Sequence, residues 1–497
     1  MYRMCLFIAR NPRAKHGSAA FVTRLAPPRG GWAVTACWPT RLMSMEHSAP
    51  RDGPPAVPWP APAATSPVRA RVSVPGSKSM TNRALVLAAL ADGPGTITGP
   101  LYARDTALMC AALTALGVKI TTHIRGDPDP AGPIPWWHVV PGRPGADTSV
   151  DVGNAGTVLR FAPPAAALTG VSVAFHGDAR AVERPVGPIL AALRDLGAVI
   201  DDGGRGAIPF TVHGTGSLTG GTVTLDASAS SQFVSGLLLA APRFDKGLEI
   251  RHRGARGPSA PHIAMTVQML RNAGGEVAAW AEGEPAGTPD TWRVHPGALG
   301  GHDVIVQPDL SNAAPFLSAA VVTGGTVTIT GWPTVTSQPA EQILGLLASF
   351  GASWDLAGGA LTITGAGRIR GITADLADAP EVVPVAAALA ALADSPSRLT
   401  GIAHMRLQET DRLAALATEI NALGGDVTEL PDGLEIRPRP LRAQARPFDS
   451  YDDHRLVMAA AVLGLAVPGI EVANAATVGK TFPGFTELWA SMLERGP

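Results

Sequence analysis

Residues 73–83 gather two cations and a run of small polar side chains: Val74-Pro75-Gly76-Ser77-Lys78-Ser79, then Asn82 and Arg83. An apolar run from Ala84 to Leu90 follows at once, which makes the segment the entrance of a helix. Helix entrances carry unpaired backbone N–H groups and the positive end of the helix dipole. With Lys78 and Arg83 added, the segment reads as a cradle for an anionic ligand. The plain alternative is a capped helix with two surface cations.

Further cations stand in loops or first helical turns along the chain: Arg160, Arg184, Arg412, Arg455 and Lys480. Arginine grips phosphate and carboxylate bidentately and lysine acts as a mobile point charge. Each alone is read as a surface cation; together they point to a pair of substrates carrying several acidic groups. Two carboxylates lie among them. Glu381 opens an alanine-rich helix, and Glu409 sits in Arg406-Leu407-Gln408-Glu409-Thr410-Asp411-Arg412. Carboxylates held near lysine and histidine can exchange protons with a substrate; the alternatives are a dipole-favoured helix start for Glu381 and a capping-box acid for Glu409. His454 is read as a general acid or a donor to an anion, or else as a structural histidine.

These residues must be positioned by repeated elements. Six polar loops open runs rich in alanine, leucine and valine: residues 73–83, 151–158, 226–232, 307–312, 375–381 and 449–455. They recur roughly every 70 to 80 residues, too long for a solenoid and long enough for a small α/β module. A second helix in five modules ends at a glycine, Gly117, Gly197, Gly274, Gly351 or Gly424, and a strand follows. Each module therefore reads strand, helix, strand, helix, strand, strand. The sixth ends at Leu488-Trp489-Ala490-Ser491-Met492 without that stop.

The chain has 497 residues, of which 46% are hydrophobic, enough for two cores. A net charge of −1 excludes a globally basic nucleic-acid binder, so an anion site must be local. Cys5, Cys37 and Cys110 are too scattered for a disulfide framework or a zinc site, which favours a reducing compartment. No His/Cys/Asp cluster has metal-ligand spacing, and no apolar run is long and pure enough to span a bilayer. Before Glu46 there is no acidic residue, and residues 50–67 are rich in proline and alanine. Residues 1–67 are read as a disordered or mis-started extension rather than a targeting peptide.

Seven motifs then carry a resemblance. Residues 74–79 with Asn82 and Arg83, Gly153-Asn154-Ala155-Gly156-Thr157 with Arg160, Glu183-Arg184-Pro185, Ser230-Ser231-Gln232, Glu409-Thr410-Asp411-Arg412, Asp453-His454-Arg455 and Lys480-Thr481-Phe482-Pro483 stand in order. Between about Val68 and Glu494 the chain closely resembles the 3-phosphoshikimate 1-carboxyvinyltransferases, the enolpyruvyl transferases also called 5-enolpyruvylshikimate-3-phosphate synthases.

The resemblance implies an α/β fold: a two-domain inside-out α/β barrel of six βαβαββ repeats, three per domain. The first domain would cover residues 78–305, the second residues 68–77 plus 306–497. It also implies transfer of the enolpyruvyl group of phosphoenolpyruvate to the 5-hydroxyl of shikimate 3-phosphate, with phosphate released. Lys78, Glu381, Glu409 and His454 would be catalytic. Phosphoenolpyruvate would be held by Lys78, Asn154, Gly156, Arg184, Gln232, Arg412, Arg455 and Lys480. Shikimate 3-phosphate would be held by Lys78, Ser79, Arg83, Thr157, Ser230, Ser231, Gln232, Ser259, Glu381, His404 and Gln408. No metal, cofactor, nucleic acid or membrane partner is expected, and the enzyme would be a cytoplasmic monomer. Gly156 implies sensitivity to glyphosate.

Four positions depart from the family pattern: Glu381 for Asp, Gln408 for Lys, His404 for Asn and His262 for Tyr. Two rivals stand beside this reading. A sister enzyme that uses UDP-N-acetylglucosamine has a Lys-Asn pair where this chain has Lys78-Ser79, and a loop cysteine absent near residues 180–184. A noncatalytic anion-binding module would have no need of both Glu381 and Glu409.

Overall fold

After their first turns, the runs that follow the six loops are apolar on nearly every side, a composition that suits a fully enclosed helix. They form the helices Lys78–Ala89, Gly156–Ala167, Gln232–Ala240, Leu310–Thr323, Val383–Ala391 and His454–Ala466. The first three pack on one another, and so do the last three. The computed structural model describes residues 57–125, 134–255, 259–281, 288–301 and 303–494; these belong to one compact unit over residues 56–497.

Amphipathic helices and small sheets wrap each inner trio. Among the described residues, five sheets have four strands and one has three. In each four-stranded sheet a parallel pair adjoins an antiparallel hairpin. Gly221–Leu225 runs parallel to Leu248–His252, for example, which pairs with Thr291–Val294 and through it with Val277–Trp280. This is the βαβαββ unit in three dimensions. All five stop glycines lie just past an outer helix with φ between +89° and +108°, where side-chain-bearing residues are strained.

Two buried clusters result. One draws on residues 80–306, the other on residues 61–74 and 310–492. Arg69–Val72 joins the sheet of Thr326–Thr330 in the second half, whereas Asp303–Ile305 joins that of Gly95–Thr98 in the first, so the chain crosses between the halves after each of these strands. The crossing segments pair: Ser77 N–H donates to the Gln307 carbonyl and Asp309 N–H to that of Pro75, both at 2.8 Å. A Cβ at Gly76 would strike the Gly99 carbonyl, which restricts this position to glycine.

The folded chain begins earlier than the sequence reading placed it. Trp59–Pro60 pairs antiparallel with Val472 and Glu471, and the Ala61 N–H donates to the Ile470 carbonyl at 2.8 Å. Ala61 is buried against Gly464. The sixth unit lacks a closing hairpin, and this segment supplies the third strand beside Glu471–Ala473 and Phe448–Asp449. The reading of residues 1–67 as an extension therefore does not hold for 57–67, and residues 1–56, with Cys5 and Cys37, lie outside the described residues.

Candidate active site

All six inner helices point their N-termini into one cleft between the two halves. Ser77 and Lys78, Gly156 and Thr157, Gln232, Asp309 and Ser311, Glu381, and His454 and Arg455 come from the six entrances in turn. Arg184, Gln408, Glu409 and Arg412 complete the cation and carboxylate set, with Ser79, His262, Met265, Gln338 and Pro339. The space between them, counted out to the open mouth, is about 750 Å³. Converging helix dipoles make the cleft attractive to anions before any side chain is counted.

Local sequence sets most of these side chains. The Ser77 hydroxyl caps its helix by accepting from Met80 N–H, and Asp309 caps Leu310–Thr323 by accepting from Asn312 N–H at 3.0 Å. Asp411 and Asp453 cap the helices that begin at Arg412 and His454. Asp453 also accepts from Arg412 Nε at 2.7 Å and Nη2 at 3.1 Å, a bidentate pair sealed from solvent. Burial works against the Arg412 charge, but Asp453 and Glu409 outweigh it and raise its pKa.

Lys78 Nζ donates to Asp105 at 3.0 Å. Burial disfavours the ammonium, but Asp105 and Glu409 overcome that and raise its pKa, so Lys78 carries its proton firmly. Glu409 accepts from His454 Nδ1 at 2.9 Å. Its burial is outweighed by His454, Lys480 and Lys78, which hold the carboxyl well below the ordinary value. Burial pushes His454 the other way, toward neutrality, despite Glu409. The resting cleft therefore holds an ammonium at Lys78 and a carboxylate at Glu409 that is hydrogen-bonded to His454 beside the helix entrance.

Arg184 Nη1 donates to the Asn154 carbonyl at 2.6 Å and to Asn154 Oδ1 at 3.0 Å, while its buried Nε has no protein partner. Arg455 donates to Ser311 O at 3.0 Å and Oγ at 2.7 Å. Glu381 faces His262 at 3.7 Å, and its Oε2 is buried without a partner. Burial would neutralise Glu381, but His262, Arg455 and Arg412 hold its pKa below the usual value.

Not every residue singled out in the sequence reaches the wall. Arg83 is buried and donates to Thr266 Oγ1, the Ser79 and His262 carbonyls and Ser235 Oγ. These donors brace the wall from behind. Arg160 does the same, donating twice to the Pro185 carbonyl. Asn154 serves Arg184, the Ser259 N–H donates to the Ala377 carbonyl, the Ser230 hydroxyl accepts from Gln232 N–H, and Ser231 precedes the Gln232–Ala240 helix. Lys480 donates to the Asp452 carbonyl, and His404 is buried behind the wall.

Conversely, Asp105, Ser311 and Gln338 were missed. Ser311 lies in the fourth polar loop, so its signal was present; Asp105 meets Lys78 only through the fold. Among the described residues, Glu409, Asp453 and His454 bring ligand-type atoms within 4.8 Å of one another. Their oxygens already accept from Arg412, Arg455 N–H and His454, and the surrounding cations disfavour a further positive ion.

The family model described as EPSP synthase (3-phosphoshikimate 1-carboxyvinyltransferase) matches residues 62–489. The chain belongs to the EPSP synthase family. It is 53% identical over 441 residues to the 3-phosphoshikimate 1-carboxyvinyltransferase of Kocuria rhizophila, covering 88% of this chain and 96% of that one. Two solved structures of EPSP synthase from Acinetobacter baumannii superpose with TM-scores of 0.68 and 0.67 at 26% identity, each covering 88% of this chain and 97% of theirs. As an EPSP synthase family member, the chain shares its inside-out α/β architecture with those structures.

Proposed function

We infer that this chain transfers the enolpyruvyl group of phosphoenolpyruvate to the 5-hydroxyl of shikimate 3-phosphate, releasing phosphate, in the shikimate pathway of aromatic amino acid biosynthesis. One observation carries the reading: four cations, Lys78, Arg184, Arg412 and Arg455, share a cleft with two separate carboxylates, Glu381 and Glu409. Two acidic substrates need the first set, and a reaction that removes two protons from its reactants needs the second.

In this reading the Lys78 ammonium gives its proton to the vinyl methylene, and the substrate hydroxyl adds to the resulting cationic carbon. Glu381 takes the hydroxyl proton. Glu409, kept ionised by its cations, then takes a proton from the new methyl group as the C–O bond to phosphate breaks. Arg184, Arg412 and Arg455, with Gly156 N–H and Gln232, hold phosphoenolpyruvate; Lys480 supports Glu409 electrostatically. Ser79, Thr157, Gln232, Glu381 and Gln408 hold shikimate 3-phosphate, with Ser230, Ser231, Ser259 and His404 behind them. Helix entrances and cations from both halves neutralise charge as it develops on the leaving phosphate.

A monomer in the cytoplasm completes the proposal. The deciding experiment follows phosphate release from phosphoenolpyruvate with shikimate 3-phosphate against UDP-N-acetylglucosamine. Release only with the former is expected; release only with the latter makes the chain the sister enzyme, and none with either makes it a binding module. Light scattering on a sizing column checks the monomer.

A further inference from the structure

His262 and Glu381 approach each other from opposite halves of the molecule. His262 lies in the first turn of Ala260–Asn272, which belongs to the first core, and Glu381 in the short turn Pro380–Val382 of the second. The join is anchored beside them: the Ser259 N–H donates to the Ala377 carbonyl at 2.7 Å, four residues before Glu381. The His262 carbonyl accepts from Arg83 Nη2 and from Thr266 Oγ1, each at 3.0 Å, which pins the backbone that carries the ring. Both side chains keep one buried polar atom, His262 Nδ1 and Glu381 Oε2, without a partner.

We propose that His262 is a positioning residue for Glu381: its Nε2 edge holds Oε1 across the join of the two halves and leaves Oε2 to meet the hydroxyl of the substrate. Only the identity of that hydroxyl rests on the enolpyruvyl-transfer reading. At 3.7 Å the contact is electrostatic rather than a hydrogen bond. His262 also faces Arg83, Asp309 and Arg455, and Glu381 also faces Arg455, Arg412 and His404. Burial pushes the His262 imidazole itself below its ordinary value, toward neutrality, so its nitrogen edge acts on Glu381 as a nearby dipole beside the full charges of Arg455 and Arg412. Because the two partners come from different cores, the base is complete only where the halves meet. Arg83 acquires a purpose in the same arrangement, as the brace that places His262.

Glutamine and methionine are nearly the same shape, but only glutamine offers an N–H near the Nε2 position, so His262→Gln and His262→Met separate polarity from packing. The Glu381 carboxyl can be followed by carbon-13 NMR and assigned by its disappearance in Glu381→Gln. In His262→Met its titration should move up by about one pH unit, and the acid limb of kcat should move with it. That is about a tenfold loss at the acid end, with KM for both substrates little changed. His262→Gln should restore most of the shift. A Glu381 titration that is the same in His262→Met and wild type would overturn the proposal, as would equal shifts in the two variants. The NMR titration needs no substrate: a protein that titrates as expected but releases no phosphate upholds the pair and sinks the reaction assignment.

Discussion

Glu381 and Gly156 show how much one residue decides in this cleft. Glu381 is the carboxylate whose free oxygen has no protein partner, so replacing it by glutamine removes a proton acceptor and little else. Glu381→Gln should lower kcat by roughly 10²- to 10⁴-fold while changing KM much less, as is usual for loss of a general base; steady-state phosphate release checks the split. A Cβ at Gly156 would press on Arg184 Nη2 and on Arg160 Nη1. Arg184 cannot retreat freely, because Asn154 holds it by two hydrogen bonds. Gly156→Ala should therefore raise KM for phosphoenolpyruvate, and the inhibition constant for glyphosate, by about tenfold or more, corresponding to about 1–3 kcal/mol of overpacking. Competition kinetics with glyphosate would show an unmoved inhibition constant if the arginine simply stepped aside.

The decisive device among the elements is the helix entrance that carries both a cap and a charge. Asp453 caps the His454–Ala466 helix, accepts both arms of Arg412 and stands beside His454. It thus ties the start of one helix to the start of another, Arg412–Ala422. Asp453→Asn keeps a good cap but leaves Arg412 buried without its counter-charge. The expected loss is about 3–5 kcal/mol of stability, read as a lower midpoint in denaturant unfolding, with a weaker grip on phosphoenolpyruvate. Caps, stop glycines and apolar runs were legible in the chain because each depends on residues a few positions apart. Pairing was not: Arg412 and Asp453 are 41 positions apart and Lys78 and Asp105 are 27 apart, and nothing local marks either partner.

At the scale of the molecule, assembling a cationic cleft between two cores buries titratable groups that then set the response to acid. His404 is buried with its Nε2 unpartnered, and burial, opposed by Glu381 and reinforced by Arg412, lowers its pKa to about 4 from the ordinary 6.5. Below the ordinary value the unfolded chain takes up a proton that the folded chain refuses until near that lower value. Stability is therefore whole above pH 6.5 and lost as the pH falls toward 4, by roughly 3 kcal/mol from this group. His404→Asn should flatten that part of the stability curve, measured by thermal unfolding across the same window. An unchanged slope would show that His404 takes up its proton without resistance in the native state.

Six units, their inner and outer helices and the cations at helix entrances were determined by the sequence itself, because hydrophobic period, capping residues and helix-stopping glycines act over a few residues. Only the tertiary structure decided which cations line the cleft. Arg83 and Arg160 sit at the same kind of entrance as Lys78 and Arg455, yet they spend their donors on carbonyls and hydroxyls of neighbouring elements. The fold likewise recruited Trp59–Pro60 to complete the sixth sheet and set His262 against Glu381. A long charged side chain can turn toward whichever polar groups the packed structure brings within reach, and those groups lie tens to hundreds of residues away along the chain.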